Sequence, residues 1–225
     1  MPVRHRRRWP RRALGLAVVI VLFGGVYVGL DLAARSIAES HFTQDIRARS
    51  GAKSVSVQVD SLPFLFDLLA HGNVQSVDIR LEQVPVGKLD LAQVDIAART
   101  VQLNRGYLFG SHRIRVTSIS SAEVRVTVTA SELSAAIHRR VALEGPDTIK
   151  VKIGPLMVPA TLGIVDGHVL TIGEAGLQLL HVDLGSSPLV PRCAMKLTIA
   201  SGSATLACTV APVPLSLLTA ISAAK

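Results

Sequence analysis

The residue types that most often carry out catalysis are present in this chain, but they form no recognisable catalytic pattern. The seven histidines are scattered and lack the His-x-x-x-His or His-Glu-x-x-His spacing that brings two ligands to one metal ion. The chain also lacks a Gly-x-Ser-x-Gly nucleophile elbow, a phosphate-binding glycine loop and a dinucleotide fingerprint. We therefore predict a protein that is not an enzyme, with no catalytic residue, no metal and no cofactor.

Cys193 and Cys208 are the only two cysteines of the chain. They flank a predicted strand pair that turns near residues 201–202, and they are about equally distant from that turn. A cross-strand disulfide is the natural interpretation in an oxidising compartment, and two free buried thiols are the alternative. A metal site would need more ligands nearby than the sequence offers.

Two short apolar segments interrupt the otherwise alternating pattern of the chain. The first is Pro63–Leu69, in which only Asp67 is polar, and the second is Tyr107–Phe109. Apolar side chains in turns must be buried somewhere, either in the protein's own core or against an apolar partner. If the partner is a lipid, the candidate contacts are Pro63, Phe64, Leu65, Phe66, Leu68, Leu69, Tyr107, Leu108 and Phe109.

Basic residues flank the second apolar segment. They are Arg105, His112, Arg113 and Arg115. Basic side chains beside an apolar tip could meet the anionic headgroup of a lipid. A solvated strand face is the alternative explanation.

The net charge of +8 is concentrated at the N-terminus, because six of the 24 basic residues are arginines within residues 1–12. The rest of the chain carries 18 basic and 16 acidic residues, which leaves it nearly neutral. Binding of nucleic acid depends strongly on basic surface that releases counterions from the phosphates. We therefore predict no nucleic-acid partner.

Residues 13–30 form an uncharged, mostly apolar stretch directly after the arginines. A helix of this length spans about 27 Å, close to the thickness of the bilayer hydrocarbon, and its basic flank stays in the cytoplasm. The sequence predicts a basic cytoplasmic tail (1–12), a transmembrane signal anchor (13–30) and an exported domain (31–225). A cleaved signal peptide is the alternative, although the stretch is longer than such peptides usually are.

The exported part shows one helical pattern followed by many strand patterns. Between residues 31 and 50 an apolar stripe recurs every four residues, at Ala34, Ala38, Phe42 and Ile46, which indicates a helix that packs on a sheet. From residue 54 apolar and polar residues alternate in many short runs, with a short helix after Pro63 and another over residues 131–140. Short turns between the runs favour antiparallel pairing. The predicted class is α+β, with a long curved antiparallel sheet.

The segment Ser61–Ile79, after a valine-rich strand and an N-terminal anchor with its helix, resembles the LmeA-like phospholipid-binding family of actinobacteria. The shared features are a Pro-Phe-Leu turn, a short apolar segment that ends in Gly72, and a following strand. The resemblance extends over about residues 31–140. It implies a sheet wrapped around a long helix, as in tubular lipid-binding domains. It also implies an envelope protein that binds phospholipid and supports envelope lipid or lipoglycan biogenesis.

These observations predict a single-pass protein of the cell membrane whose extracytoplasmic domain binds phospholipid, so that phospholipid and the membrane are its partners. The alternative is a non-catalytic interaction module that docks another envelope protein. An apolar cavity large enough for acyl chains would distinguish the first from the second, because an interaction module would have a solid core.

Overall fold

The protein is described by a computed structural model that covers residues 9–61, 63–104, 116–146, 148–174, 177–187, 190 and 193–213, with the backbone alone for residues 9–24, 41 and 45. Its helices are α1 (Trp9–Ser50), α2 (Phe64–Phe66) and α3 (Ala130–Ile137). A π-helical turn (Asp67–His71) continues α2, and a 3-10 turn (Leu184–Ser186) follows the ninth strand.

Eleven strands make up about half of the described residues and pair in an antiparallel manner throughout. They are β1 (Ser54–Asp60), β2 (Asn73–Val86), β3 (Leu89–Leu103), β4 (Val116–Thr129), β5 (Val141–Leu143), β6 (Ile149–Ile153), β7 (Leu156–Val165), β8 (Val169–Glu174), β9 (Leu177–Asp183), β10 (Lys196–Ala200) and β11 (Ser203–Val210). The first sheet has the order β1-β2-β3-β4-β11-β10, and the second runs β5-β6-β7-β8-β9.

The larger of two apolar cores joins the two sheets. It contains Leu81 and Leu91 of the first sheet, Ile149 and Ile172 of the second, and Leu133 of α3, all fully buried. The alternation read from the sequence produces it, because side chains of a strand point to opposite faces in turn. Burial of these branched aliphatic side chains is the main favourable contribution to folding.

The smaller core lies between α1 and the first strands of the first sheet. Ala34, Ala38, Phe42 and Ile46 pack against a cluster that includes Val57 and Val59 of β1. The predicted stripe is therefore the packing face of α1. The helix ends where predicted, since Ser50 is followed by Gly51 in the left-handed conformation, with φ of 64°; glycine adopts this conformation without steric cost.

The predicted α+β class with antiparallel pairing is confirmed, but the single long sheet is replaced by two sheets that do not close around α1. The chain leaves the first sheet after β4 through α3, which has Thr129 as its N-cap and spans Ala130–Ile137 rather than the predicted 131–140. Thr129 and Glu132 form a reciprocal capping box. Such a box satisfies backbone donors that a helix start leaves unpaired, so the chain turns into α3 and starts a second sheet.

The predicted disulfide is present. Cys193, which precedes β10, is bonded to Cys208 of β11, with 6.1 Å between their Cα atoms. Ser201 and Gly202 form the turn between these two strands, as predicted. The bond therefore joins the segment that leads into the edge strand β10 to the neighbouring strand β11.

The helices predicted over residues 13–30 and 31–50 are parts of one continuous helix, α1. Within the part of the chain that the structure describes, no helix is both long enough and apolar enough to cross a membrane.

Candidate functional site

One end of the first sheet brings together segments that are distant in sequence. Asp60 ends β1 opposite Ser76, and Leu103 ends β3 opposite Val116, the first residue of β4. The segment Pro63–His71, which we call the apolar turn, closes this end between β1 and β2. It is tied to the sheet by the N–H of Leu103, which donates to the carbonyl of Gly72 at 2.7 Å.

Asp31 of α1 holds the start of the apolar turn. Its side chain is 5% exposed, and its two carboxylate oxygens accept the backbone N–H groups of Phe64, at 3.2 Å, and of Leu65, at 2.6 Å. The first N–H groups of a helix have no partner within the helix and favour a negative charge. Asp31 therefore caps α2 from a different helix, 33 residues earlier in the chain.

Asp67, the one polar residue in Pro63–Leu69, holds the middle of the turn. Its Oδ2 accepts a hydrogen bond of 2.7 Å from the Ser61 hydroxyl, and its backbone N–H donates to the carbonyl of Pro63. Gly72, with φ of 68°, ends the turn in a left-handed conformation. The apolar turn is therefore fixed by polar contacts at its start, middle and end.

The side chains of the apolar turn divide into two groups. Phe64 and Leu68 are buried in the smaller core, which was the alternative left open by the sequence. Phe66 and Leu69 point outward, 53% and 48% exposed. Pro63 is also exposed and Leu65 is half-buried. The turn thus uses two large apolar side chains for its own packing and presents two others to the surroundings.

The other predicted contacts lie outside the described residues. They are Tyr107, Leu108 and Phe109 among the apolar candidates, and Arg105, His112, Arg113 and Arg115 among the basic ones. The described residues on either side of this segment are Asn104, after β3, and Val116, the first residue of β4, and both lie at the end of the sheet that carries the apolar turn.

Helix α1 carries further exposed apolar side chains just before it reaches Asp31. Val26, Val28 and Leu30 are all more than half exposed, and Leu32 follows on the other side of Asp31. Since Asp31 bonds to the apolar turn, this part of α1 and the outward side chains of the turn lie at the same end of the molecule. Exposed apolar side chains gathered at one end of a molecule are a candidate site of interaction with a membrane or another protein.

A polar cleft lies beside the apolar turn, with a volume of about 250 Å³. It is lined by Arg35, Asp60, Ser61, Gln75, Ser76 and Arg99. Arg35 bridges two carboxylates, with Nε 3.0 Å from Glu39 Oε1 and Nη2 3.1 Å from Asp60 Oδ1. The hydrogen bond to Glu39, more than any other contact, raises the pKa of the Arg35 guanidinium above its ordinary value, so the group stays charged.

A second cavity of about 560 Å³ lies between the β2–β3 hairpin, the end of α3 and strand β9. Lys88, His138 and His181 are among its lining residues. Both cavities are open and are lined by polar as well as apolar groups, so neither is the apolar groove for acyl chains that would separate the two predicted functions. Among the described residues, no group of three or more histidines, cysteines or acidic residues is placed to hold a metal ion.

Sequence reasoning identified the apolar turn but missed Asp31 and the cleft. In the sequence, Asp31 is simply the first charged residue after the apolar stretch, and its role depends on a contact with residues 33 and 34 positions away. The cleft residues come from α1, from the first three strands and from the segment after β1. The available signal was that Asp31 is the first acidic residue of the chain and directly follows the apolar stretch.

Comparison with known proteins adds a family assignment. The family model described as LmeA-like phospholipid-binding matches residues 29–218, which include the apolar turn, the cleft and both sheets. Comparison with curated proteins and with solved structures finds no match.

Proposed function

The chain belongs to the LmeA-like phospholipid-binding family, and on this premise we propose that it binds phospholipid outside the cytoplasm while anchored in the cell membrane by residues 13–30. Its role is to support envelope lipid or lipoglycan biogenesis. The observation that carries the proposal is the pair of exposed side chains, Phe66 and Leu69, on a turn that Asp31 ties to α1.

The apolar turn suits contact with lipid because its outward side chains are apolar and its backbone is already held in place. Transfer of a large apolar side chain from water to an apolar environment is worth about 1.5–3 kcal/mol when the whole side chain is transferred. The polar contacts of Asp31 and Asp67 order the turn before any lipid arrives. Such preorganisation lowers the entropic cost of binding.

The anchor gives this binding a mechanical consequence. Six arginines precede residues 13–30, and such a basic flank stays on the cytoplasmic side, which places the folded domain outside. Because α1 runs without interruption from the anchor to Asp31, the apolar turn sits close to the outer surface of the same bilayer. A tethered domain cannot diffuse between membranes, so it holds or presents lipid near its own membrane.

The proposed topology predicts the behaviour of fusion proteins. Alkaline phosphatase fused after Lys225 is expected to be active, because the enzyme needs an oxidising extracytoplasmic compartment for its disulfides. The membrane-bound protein is expected to retain residues 1–30, as checked by measuring its intact mass. An inactive phosphatase fusion would contradict the topology. A mature protein that begins after the apolar stretch would instead identify a cleaved signal peptide.

The lipid-binding proposal predicts that the full chain retains phospholipid during purification. Native mass spectrometry in a non-ionic detergent, followed by organic extraction, is expected to find phospholipid in near-stoichiometric amount. Repeated absence of lipid from a folded protein, together with no binding of added phospholipid, would overturn the proposal. The interaction module would then be the better explanation of the exposed apolar turn.

A further inference from the structure

The register of the first sheet lines up three polar side chains at the floor of the cleft. Asp60 of β1 is paired with Ser76 of β2, and Ser76 is paired with Arg99 of β3. Residues directly opposite on neighbouring strands present their side chains on the same face. A hydroxyl therefore lies between a carboxylate and a guanidinium, in a cavity of about 250 Å³.

The two arginines of the cleft differ in what they bind. Arg35 is committed to Glu39 and Asp60. Arg99 makes no side-chain hydrogen bond or ion pair with any residue in the part of the chain that the structure describes. A guanidinium has five N–H donors in a planar fork that matches the oxygens of a phosphate. Arg99 thus retains its full binding capacity beside the cleft.

The remaining cleft walls supply further hydrogen-bonding groups. The Ser76 side chain is buried, and its hydroxyl makes one long hydrogen bond, 3.5 Å, to the carbonyl of Asp60. The Asp60 carboxylate shares Arg35 with Glu39 and also accepts a hydrogen bond from Gln58. The cleft consequently offers the Arg99 guanidinium for an anionic group and the Asp60 carboxylate for a hydrogen-bond donor.

Ser61 connects the cleft to the apolar turn. It lines the cleft, and its hydroxyl donates to Asp67 within the turn. A molecule with an apolar part and a phosphate could therefore place its apolar part on Phe66 and Leu69 and its phosphate in the cleft. This is the arrangement of groups in a phospholipid.

We propose that the cleft between Asp60 and Arg99 is the headgroup site for the bound phospholipid, in which Arg99 binds the phosphate and Asp60 accepts a hydrogen bond from a headgroup hydroxyl or ammonium. This assignment rests on the proposed function and adds to it the part of the lipid that is recognised. Because Arg35 is shared by Glu39 and Asp60, whereas Arg99 has no carboxylate partner among the described residues, Arg99 is the cleft cation that remains available to a phosphodiester.

The test compares Arg99→Gln with a matched control, Arg125→Gln, in the full chain purified in a non-ionic detergent. Arg125 is an exposed arginine of β4 that is paired with Glu123, so both variants lose the same charge from the same sheet. Each protein is titrated separately with phosphatidylglycerol and with diacylglycerol, which lacks the phosphate. The number of lipid molecules bound is measured by native mass spectrometry. Sodium phosphate alone is added in a separate series.

Arg99→Gln is expected to weaken binding of phosphatidylglycerol roughly tenfold, since hydrogen bonds to charged groups are worth more than neutral ones. Arg125→Gln is expected to bind like the wild type, and diacylglycerol binding is expected to be weak and insensitive to either change. Arg99→Lys is expected to restore only part of the affinity, because an ammonium keeps the charge but loses the fork.

Three results would overturn the assignment. If the wild type and Arg99→Gln bind phosphatidylglycerol equally well, the cleft is not the headgroup site, although the protein still binds phospholipid. If Arg99→Gln abolishes the adduct with inorganic phosphate but leaves lipid binding unchanged, the cleft binds soluble phosphate rather than a lipid headgroup. Wild-type protein that binds neither lipid contradicts the proposed function itself, and the headgroup site with it.

Discussion

Replacement of Phe66 and Leu69 together by aspartate is expected to lower phospholipid binding by on the order of a hundredfold while the fold remains intact. Both side chains are about half exposed, so each transfers roughly half of its apolar area to lipid, worth about 1 kcal/mol or more. Carboxylates in their place add a cost for approaching an apolar phase. Phe64 and Leu68, which form the core contacts of the same turn, are left untouched.

The matched control is the double change of Leu156 and Leu177 to aspartate. These leucines are 66% and 68% exposed, and both belong to the second sheet rather than to the apolar turn. Native mass spectrometry of retained phospholipid and thermal unfolding are measured for both double variants. If both double variants lose the same amount of lipid, the effect is due to overall surface hydrophobicity. If neither loses lipid, the apolar turn is not the lipid contact.

Asp31→Ala is expected to release the apolar turn from α1. The change leaves the N–H groups of Phe64 and Leu65 without their carboxylate acceptor, and an unsatisfied buried donor costs about 1–3 kcal/mol. Amide hydrogen exchange over residues 63–72 is therefore expected to accelerate by about a hundredfold, with phospholipid binding reduced because the outward side chains lose their fixed position. Asp31→Asn, which keeps one side-chain carbonyl as acceptor, is expected to show a smaller acceleration.

Asp90→Ala serves as the control for charge. Asp90 is an exposed carboxylate near the start of β3, at the end of that strand opposite to the apolar turn. Mass spectrometry measures the rate of amide hydrogen exchange in the apolar turn. The rate in the hairpin of β7 and β8 in the same sample is the internal reference. Unchanged exchange over residues 63–72 in Asp31→Ala would show that the turn is held without Asp31.

The parts of this fold that follow local periodicity were predictable from the sequence. The four-residue stripe of α1 indicated its packing face, and the alternating valines of residues 124–128 indicated a strand with one buried face. Glycine in a left-handed conformation after Ser50 likewise follows from the neighbouring residues alone. These features depend on residues within a few positions of each other, so a single sequence contains the whole signal.

The division of the fold into two sheets was not predictable in the same way. Strand patterns before and after residues 130–137 look alike, because alternation reports which face of a strand is buried and not which strand lies beside it. The capping box of Thr129 and Glu132 marks the start of α3, but only the pairing of β4 with β11, rather than with β5, shows that the chain begins a new sheet there.

The candidate site likewise has features that follow from neighbouring residues and features that depend on residues distant in sequence. The sequence by itself determined that residues 63–69 form an apolar helical turn before a strand, since the composition and the flanking Pro63 and Gly72 are local. Only the tertiary structure decided that Phe64 and Leu68 face the core while Phe66 and Leu69 face outward, that Asp31 caps the turn, and that Asp60 and Arg99 share a cleft. Each of those facts depends on groups brought together from distant parts of the chain, and such contacts leave no spacing in a single sequence.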